Sequence, residues 1–227
     1  MGQYYMLCNL DKRQRLSLPL SLWGSMFFSG QKLSEQLANL GLKPILALAL
    51  VDMTAVANNP NLLWGSWSGD RVVLLGDYSD DTPHFLTEDE KLELETKSTT
   101  LPKLVGTEFE DLMKEPKTWF MNNEMLSALF NDPQHVIVNL DKREYLDPEQ
   151  FGDDSSVDNF CLDKDGVMKG LYSTLFYSTG RGGGDIEDLR IGRWAGDRLS
   201  IVEKKTLAED FYSDVSDHVE TILCGVD

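Results

Sequence analysis

The sequence predicts an α+β fold in which a hairpin–helix–hairpin unit occurs twice. The motif N-L-D-K-R stands at residues 9–13 and again at residues 139–143. A second motif follows it both times, as G-S-W-S-G-D-R at residues 65–71 and as G-R-W-A-G-D-R at residues 192–198. Apolar segments with helical spacing lie between the motifs of each pair. Two motifs in the same order at similar spacing indicate an internal duplication. We expect its copies to form a pseudo-two-fold mixed or antiparallel sheet packed with helices.

The repeats divide the chain into four segments. Copy one spans residues 1–78 and copy two spans residues 133–203. An acidic helical insert at residues 79–132 separates them, and a C-terminal helix is expected at residues 204–227. One unit alone is too small to bury a sufficient core, so we expect the two copies to pack on each other within one compact domain.

Each copy is predicted to begin with a β-hairpin around its N-L-D-K-R motif. In copy one, aromatic and aliphatic residues at 4–9 indicate a strand, Asp11 and Lys12 indicate a turn, and residues 13–18 can pair back. The same pattern predicts strands in copy two at residues 135–139 and 143–146.

The Trp-containing motif is predicted to form a second hairpin in each copy, around a Gly-Asp turn. Its arms are residues 62–67 and 71–75 in copy one, and residues 191–194 and 198–202 in copy two. Trp67 and Trp194 precede these turns. A Trp beside a Gly is often a plug over the end of a sheet, with its N–H on a backbone carbonyl. The alternative is that these rings form the floor of a ligand pocket.

Helices are predicted from periodicity and from capping signals. Thr87 and Glu90 fit the capping-box pattern, as do Thr107 and Glu110, so the insert should contain two short helices. Thr206 is expected to cap the C-terminal helix. Further helices are predicted at residues 31–39, 44–57, 123–130 and 166–178.

Charge and composition limit the class of function. The chain has 21 Lys and Arg against 38 Asp and Glu, which gives a net charge of −17 and a pI near 4.5. Such a charge opposes direct binding to nucleic acid and to anionic membranes. It suits a basic protein partner or mimicry of a nucleic acid, and it also has the plain interpretation of an acidic soluble protein.

The expected compartment is the cytoplasm. Cys8, Cys161 and Cys224 have no metal-type spacing and lie among apolar residues, which indicates reduced, buried thiols. The N-terminus shows no signal-peptide pattern, and no apolar run approaches the roughly 20 residues of a membrane span.

Paired Asp and Arg residues in the two motifs are the sharpest candidates for a site. They are Asp11, Arg13, Asp70 and Arg71 in copy one, and Asp141, Arg143, Asp197 and Arg198 in copy two. An arginine fork binds phosphate or carboxylate, while an aspartate from another hairpin can accept a proton. In the structural alternative, Asp70 and Asp197 cap their turns, and the arginines pair with Asp11 or Asp141 across the sheet. Asp11 and Asp141 can also serve only to shape the bend.

No metal or cofactor fingerprint is complete. Residues 180–185 are rich in glycine but lack the Lys-Ser/Thr of a phosphate loop. Residues 163–166 lack the third acidic position and the terminal Glu of an EF-hand. The three histidines form no metal-type cluster. We therefore expect no cofactor and no metal, and no nucleophile is identified.

The opening residues 1–5 with the motif at residues 9–13, together with residues 192–198, resemble a set of small proteins. These proteins share an N-L-D-K-R-E-Y motif and a G-R-W-A-G-D-R motif. The resemblance is confined to the motifs and implies no activity. Copy one departs from it at Ser66 and Ser68, so copy two is the better preserved if the motif forms a site.

Two functions of different class are compatible with these features. The first is an acidic intracellular interaction protein that binds and neutralises or inhibits a basic protein partner, as immunity and inhibitor proteins do. Its candidate contacts in the insert are Glu88, Asp89 and Glu90. The alternative is an enzyme or binding protein for a small anionic ligand, which the Asp and Arg residues of copy two would hold. A structural component of a larger assembly is a third possibility.

Overall fold

The computed structural model describes residues 5–16, 50, 65–79, 81–112, 135–147, 174–179, 190–208 and 211–216. In this part of the chain the fold is α+β, with two helices and mixed sheets, as the sequence predicts. The described helices are all too short or too polar to cross a membrane.

The elements of copy one and the insert come first in the chain. They are β1 (Tyr5–Asn9), β2 (Gln14–Leu16), β3 (Val72–Gly76), α1 (Glu88–Lys97), α2 (Leu101–Glu108) and β4 (Glu110–Asp111). The remaining elements are β5 (His135–Asn139), β6 (Glu144–Leu146), β7 (Phe176–Ser178), β8 (Arg190–Ile191), β9 (Leu199–Glu203), a 3-10 helix (Lys204–Thr206) and β10 (Ser213–Asp214).

The strands form a six-stranded sheet of order β4-β2-β1-β3-β7-β8 and a four-stranded sheet of order β10-β6-β5-β9. Both contain the predicted hairpin around N-L-D-K-R, and the two hairpins have the same register. The matching cross-strand partners are Asn9 with Gln14 and Val72, and Asn139 with Glu144 and Leu199. A short parallel strand closes the outer edge of each hairpin, β4 beside β2 and β10 beside β6.

The two sheets meet at the turns that precede β3 and β9. The Gly69 N–H donates to the Leu199 carbonyl (2.8 Å), and the Gly196 N–H donates to the Val72 carbonyl (2.9 Å). The Val72 N–H donates to the backbone carbonyl of Asp197 (3.1 Å), and the Leu199 N–H donates to the backbone carbonyl of Asp70 (3.2 Å). We call these four reciprocal bonds the turn seam. The strands thus form two sheets joined at a seam, rather than the single sheet expected.

The insert covers one face of the six-stranded sheet. The predicted capping box at the start of α1 is confirmed: the Glu90 N–H donates to the Thr87 hydroxyl, and the Thr87 N–H donates to the Glu90 carboxylate. Apolar side chains of both helices pack against the sheet in one core cluster, among them Leu94, Leu104 and Val105. This packing holds the helices over the tip of the first hairpin.

The second capping box predicted in the insert is wrong. Thr107 lies in the last turn of α2, and its hydroxyl donates to the Lys103 carbonyl (2.9 Å). Glu110 begins β4, where its N–H donates to the Arg13 carbonyl (2.9 Å). The chain leaves the helix here, and its backbone groups pair with the edge of β2 instead.

Three predictions for copy two and the C-terminus are wrong in whole or in part. In the helix predicted at residues 166–178, Thr174 and Leu175 are helical, but Phe176–Ser178 form strand β7, which runs parallel to β3. The Trp-containing motif forms no hairpin in copy two, because Ile191 pairs with Tyr177 on β7 while β9 pairs with β5. Thr206 ends a 3-10 helix instead of capping an α-helix, and β10 follows as an edge strand.

Several predictions fall outside the described residues. They are the helices at residues 31–39, 44–57 and 123–130, of which only Leu50 is described, as a helical and fully buried residue. Residues 62–64 of the first Trp-hairpin arm in copy one also lie outside them, and the described rest of that arm, residues 65–67, is a turn and not a strand. The loops at residues 163–166 and 180–185 lie outside the described residues as well.

Candidate functional site

The predicted Asp and Arg residues meet beside the turn seam in two clusters of the same geometry. In copy one, the Asp11 carboxylate accepts the Arg71 backbone N–H (2.8 Å) and its Nε–H (2.7 Å). In copy two, Asp141 accepts the corresponding groups of Arg198 at 2.7 and 2.8 Å. Arg71 and Arg198 also face each other in an isolated antiparallel bridge. This is the pairing that the structural alternative predicted.

Asp70 and Asp197 connect their turns to the hairpins. The side-chain amides of Asn9 and Asn139 donate to these carboxylates, each at 2.7 Å. Lys12 binds Asp70 at 2.6 Å, and Lys142 binds Asp197. Neither aspartate therefore points into open space as a free general base. Both are bound by an amide and an ammonium group.

The two asparagines are structurally important positions that the sequence reasoning missed. The Asn9 Oδ1 accepts the Lys12 N–H (2.9 Å), and the Asn139 Oδ1 accepts the N–H groups of Asp141 (3.0 Å) and Lys142 (2.8 Å). Asn thus shapes the bend that was assigned to Asp11 and Asp141, whose carboxylates bind the arginines instead. The signal was present, because an Asn opens the motif in both copies.

Trp67 and Trp194 are fully buried, as expected of plugs at the sheet ends. Their indole N–H groups do not donate to backbone carbonyls, which corrects the prediction. Trp67 donates to the Gln14 Oε1 (2.9 Å) and Trp194 to the Glu144 Oε2 (2.8 Å). Gln14 and Glu144 directly follow the N-L-D-K-R motif, and Glu144 also binds the guanidinium group of Arg193.

In copy one, the insert supplies carboxylates to both arginines. Glu90 binds Arg71 through two hydrogen bonds of 2.7 and 3.1 Å, and Glu93 binds Arg13 at 2.9 Å. Hydrogen bonds from Arg13 and Lys97 lower the pKa of Glu93 to about 2, against a smaller opposing effect of burial. Burial raises the pKa of Glu90, but hydrogen bonds from Arg71 and from the Thr87 N–H outweigh it and lower that pKa.

A cavity of about 210 Å³ lies between the first hairpin and the two helices. Six of its eleven lining residues are apolar, with Leu10, Leu94 and Phe109 among them, and five are charged. The charged groups around it are Asp11, Arg13, Arg71, Glu90 and Glu93, which bind one another. Arg13 also stacks over the Phe109 ring at 5.2 Å. The polar rim of this cavity is therefore occupied by the protein's own ion pairs.

Copy two presents its arginines differently. Among the described side chains, Asp141 is the one carboxylate that binds Arg198. Arg143, which like Arg13 adopts a left-handed backbone conformation (φ 58° and 52°), stacks over the Phe211 ring at 4.0 Å. Burial raises the pKa of Asp141, but the hydrogen bonds from Arg198 lower it overall.

The acidic residues of α1 divide into two sets. Glu90 and Glu93 point toward the hairpin and bind arginines, whereas Glu88, Asp89 and Glu95 are exposed. Between them lies Leu92, which is 60% exposed and is one of the two large exposed apolar side chains in the described part of the chain. We call Glu88, Asp89, Leu92 and Glu95 the outer face of α1.

No group of three or more metal-ligating side chains occurs within the described ranges. Comparison with known protein families, with curated proteins and with solved structures finds no match.

Proposed function

We propose that the protein is an acidic interaction protein that binds a basic protein partner through the outer face of α1. The observation that carries this proposal is the position of Leu92 between Asp89 and Glu95, each three residues away on the same side of the helix. Neither carboxylate takes part in an ion pair with any described residue, whereas Glu90 and Glu93 are fully engaged. The outer face thus offers an apolar anchor inside an acidic rim.

Such a face suits a basic partner for two physical reasons. An exposed aliphatic side chain that enters a pocket contributes affinity, because it removes apolar surface from water. The carboxylates around Leu92 and the net charge of −17 accelerate the encounter of this face with a basic surface, and they repel acidic surfaces from this face. A partner bound in this way has its basic surface covered, and that would neutralise or inhibit it.

The test is affinity capture from native-host lysate at low and moderate salt, followed by titration of the purified partner. We expect one basic protein at near-stoichiometric amount, with capture that weakens as salt rises. Asp89→Asn with Glu95→Gln, and separately Leu92→Ala, should each weaken binding by about tenfold or more. The matched control is Glu110→Gln with Glu203→Gln, which removes the same charge elsewhere. Equal binding by the α1 variants and the wild type would refute the proposal.

The small-anion alternative, in which the Asp and Arg residues of copy two hold the ligand, stays a prediction. In copy one, carboxylates of the same chain already bind the guanidinium groups of Arg13 and Arg71. An incoming anion would have to displace Glu93 and Glu90.

We also propose that residues 1–78 and 133–203 are copies of one unit, related by a pseudo-two-fold axis through the turn seam. Support comes from the equal hairpin registers, the matching Asp–Arg and Asn–Asp bonds, and the reciprocal bonds of the seam. Gln14→Glu combined with Ser66→Arg installs in copy one the Glu144–Arg193 pair of copy two. A double-mutant cycle should give a favourable coupling of about 1 kcal/mol, and no coupling would contradict the equivalence.

We propose a reducing compartment such as the cytoplasm. Support comes from Cys8, a free thiol that is fully buried and whose pKa is raised by that burial. Extraction with an alkylating agent followed by intact-mass analysis should show reduced thiols, and recovered disulfides would contradict the assignment.

A further inference from the structure

Several side chains near the tip of the second hairpin are more exposed to solvent than their equivalents near the first. Arg71 has 18% of its side chain exposed, whereas Arg198 has 53%. Phe109, under Arg13, is 8% exposed, whereas Phe211, under Arg143, is 50% exposed. Leu10 is buried and its counterpart Leu140 is only partly buried. Arg198, Phe211 and Leu140 are thus more open than their equivalents, whereas Asp141 (33%) is as exposed as Asp11 (35%).

The difference has a structural cause in the connection between equivalent strands. In copy one, α1 and α2 lie between β3 and β4 and cover the hairpin tip. In copy two, β9 and β10 are joined by residues 204–212. The described part of that connection contains one 3-10 helix, Lys204–Thr206. The short connection cannot place a two-helix cover over the second hairpin.

Copy one shows what chemistry such a cover requires. On α1, Glu90 and Glu93 are three residues apart and bind Arg71 and Arg13, respectively. Leu94, on the same side of the helix, is buried in the cluster that contains Leu10. One helix therefore satisfies both guanidinium groups and the apolar floor at once.

We propose that the exposed face of copy two docks an acidic helix from a partner protein. This face, the Arg143–Arg198 face, consists of Leu140, Asp141, Arg143, Arg198 and Phe211. Two carboxylates of the helix, three residues apart, bind the guanidinium groups of Arg143 and Arg198, and an apolar side chain covers Leu140 and Phe211. Charge complementarity is local here, because Asp141 is the one described carboxylate that forms an ion pair with either arginine. A second copy of this chain would bring its whole net charge of −17 to the contact, which opposes it as the occupant, whereas the helix needs only two carboxylates there.

The experiment titrates the ¹⁵N-labelled full chain with a helical peptide and follows amide chemical shifts. The peptide has the sequence of residues 86–98, which contains Glu90, Glu93 and Leu94, and it is cross-linked on its outer face to hold the helix. We expect saturable shifts at Leu140 and Phe211. Replacing the two glutamates of the peptide by glutamine should weaken binding by about tenfold or more.

Variants of the full chain identify the contacts. Arg143→Gln and Arg198→Gln should each reduce peptide affinity by about tenfold. The fold should be retained, since the Arg198 backbone N–H still donates to Asp141. Lys205→Gln is the matched control and should leave affinity unchanged. Lys205 is exposed and follows the far end of β9, where Glu203 pairs with His135 away from the hairpin tip.

Four results would overturn the proposal. The first is the absence of saturable amide chemical-shift changes at millimolar peptide. The second is peptide binding of unchanged affinity in both arginine variants. The third is an equal response to glutarate, which would make the face a site for small dicarboxylates. The fourth is self-association in sedimentation that Arg198→Gln abolishes, which would make a second copy the occupant. Saturable peptide binding that requires both arginines, in a protein that remains monomeric, supports the proposal.

Discussion

Two glycines at equivalent turns offer a controlled test of how the insert fits against the turn seam. Gly69 and Gly196 adopt nearly the same left-handed conformation, with φ of 81° and 79°. A Cβ at Gly69 would have no heavy atom within 4 Å. A Cβ at Gly196 would overlap the Cγ of Phe85, the residue whose ring packs edge-on against Tyr177 at 5.1 Å. The two alanine substitutions therefore share the same backbone conformation and differ only in the contact with Phe85 at position 196.

The expected magnitudes follow from these distances. Alanine in a left-handed conformation costs roughly 1 kcal/mol, and both substitutions carry that cost. At Gly196 the new methyl group also has to displace the Phe85 ring, and overpacking of this kind typically costs about 1–3 kcal/mol. We expect Gly69→Ala to lower the free energy of unfolding by about 1 kcal/mol and Gly196→Ala to lower it by about 2–4 kcal/mol.

The measurement is urea unfolding followed by tryptophan fluorescence, because Trp67 and Trp194 are both fully buried. A second background isolates the contact. With Phe85→Ala in place, Gly196→Ala should cost only about 1 kcal/mol, because the clashing ring is gone. If the two glycine variants lose equal stability, or if Phe85→Ala leaves the cost of Gly196→Ala unchanged, the close contact between the insert and this turn is refuted.

Two further predictions concern buried or paired side chains. The folded pKa of Glu93, about 2, lies below the ordinary value of 4.5, so its ion pairs stabilise the fold above about pH 4.5 and lose that effect as pH falls toward 2. Glu93→Gln should cost about 1 kcal/mol at pH 7, after allowance for solvent screening. Its urea stability curve should converge with that of the wild type as pH falls, and parallel curves would contradict the assignment. Glu144→Gln keeps an acceptor for the Trp194 indole, as Gln14 does in copy one, and should cost less than about 1 kcal/mol. Glu144→Met leaves that buried N–H without an acceptor and should cost about 1–3 kcal/mol more, so equal costs would contradict the role of Glu144.

The hairpins around N-L-D-K-R were predictable because their determinants are local. A β-rich segment, a turn residue pair and a return strand all lie within a dozen positions, and the structure places β1, β2, β5 and β6 where the pattern predicts them. The Asp–Arg pairing could also be predicted from the sequence, because the two motifs that contain these residues recur together in both copies. The carboxylates that Glu90 and Glu93 add to copy one depend on how the insert packs, which no local pattern contains.

The Trp-containing motif shows the limit of the same reasoning. Residues 191–194 and 198–202 look like two arms of a hairpin, yet β8 joins β7 and β9 joins β5. Strand partners are chosen by which sheet edges the rest of the fold leaves open, and this information is spread over the whole chain.

The two capping boxes of the insert show how context decides between identical patterns. Thr87 and Thr107 are each followed by Glu three residues later, but only Thr87 begins a helix. Pro102 stands at the first turn of α2 and marks its true start, so Thr107 falls inside the last turn of that helix. A proline five residues upstream was the usable signal.

The turn seam has a consequence for the order in which the chain folds. Each hairpin closes across a few residues, on the microsecond timescale typical of such elements. All four bonds of the seam join residues more than 120 positions apart, so they form only after a long loop closes. Until then, the starts of β3 and β9 expose unpaired backbone groups that invite pairing with other chains. The net charge of −17 repels neighbouring molecules during that interval, and this gives the acidity of the chain a role in assembly that is independent of any partner.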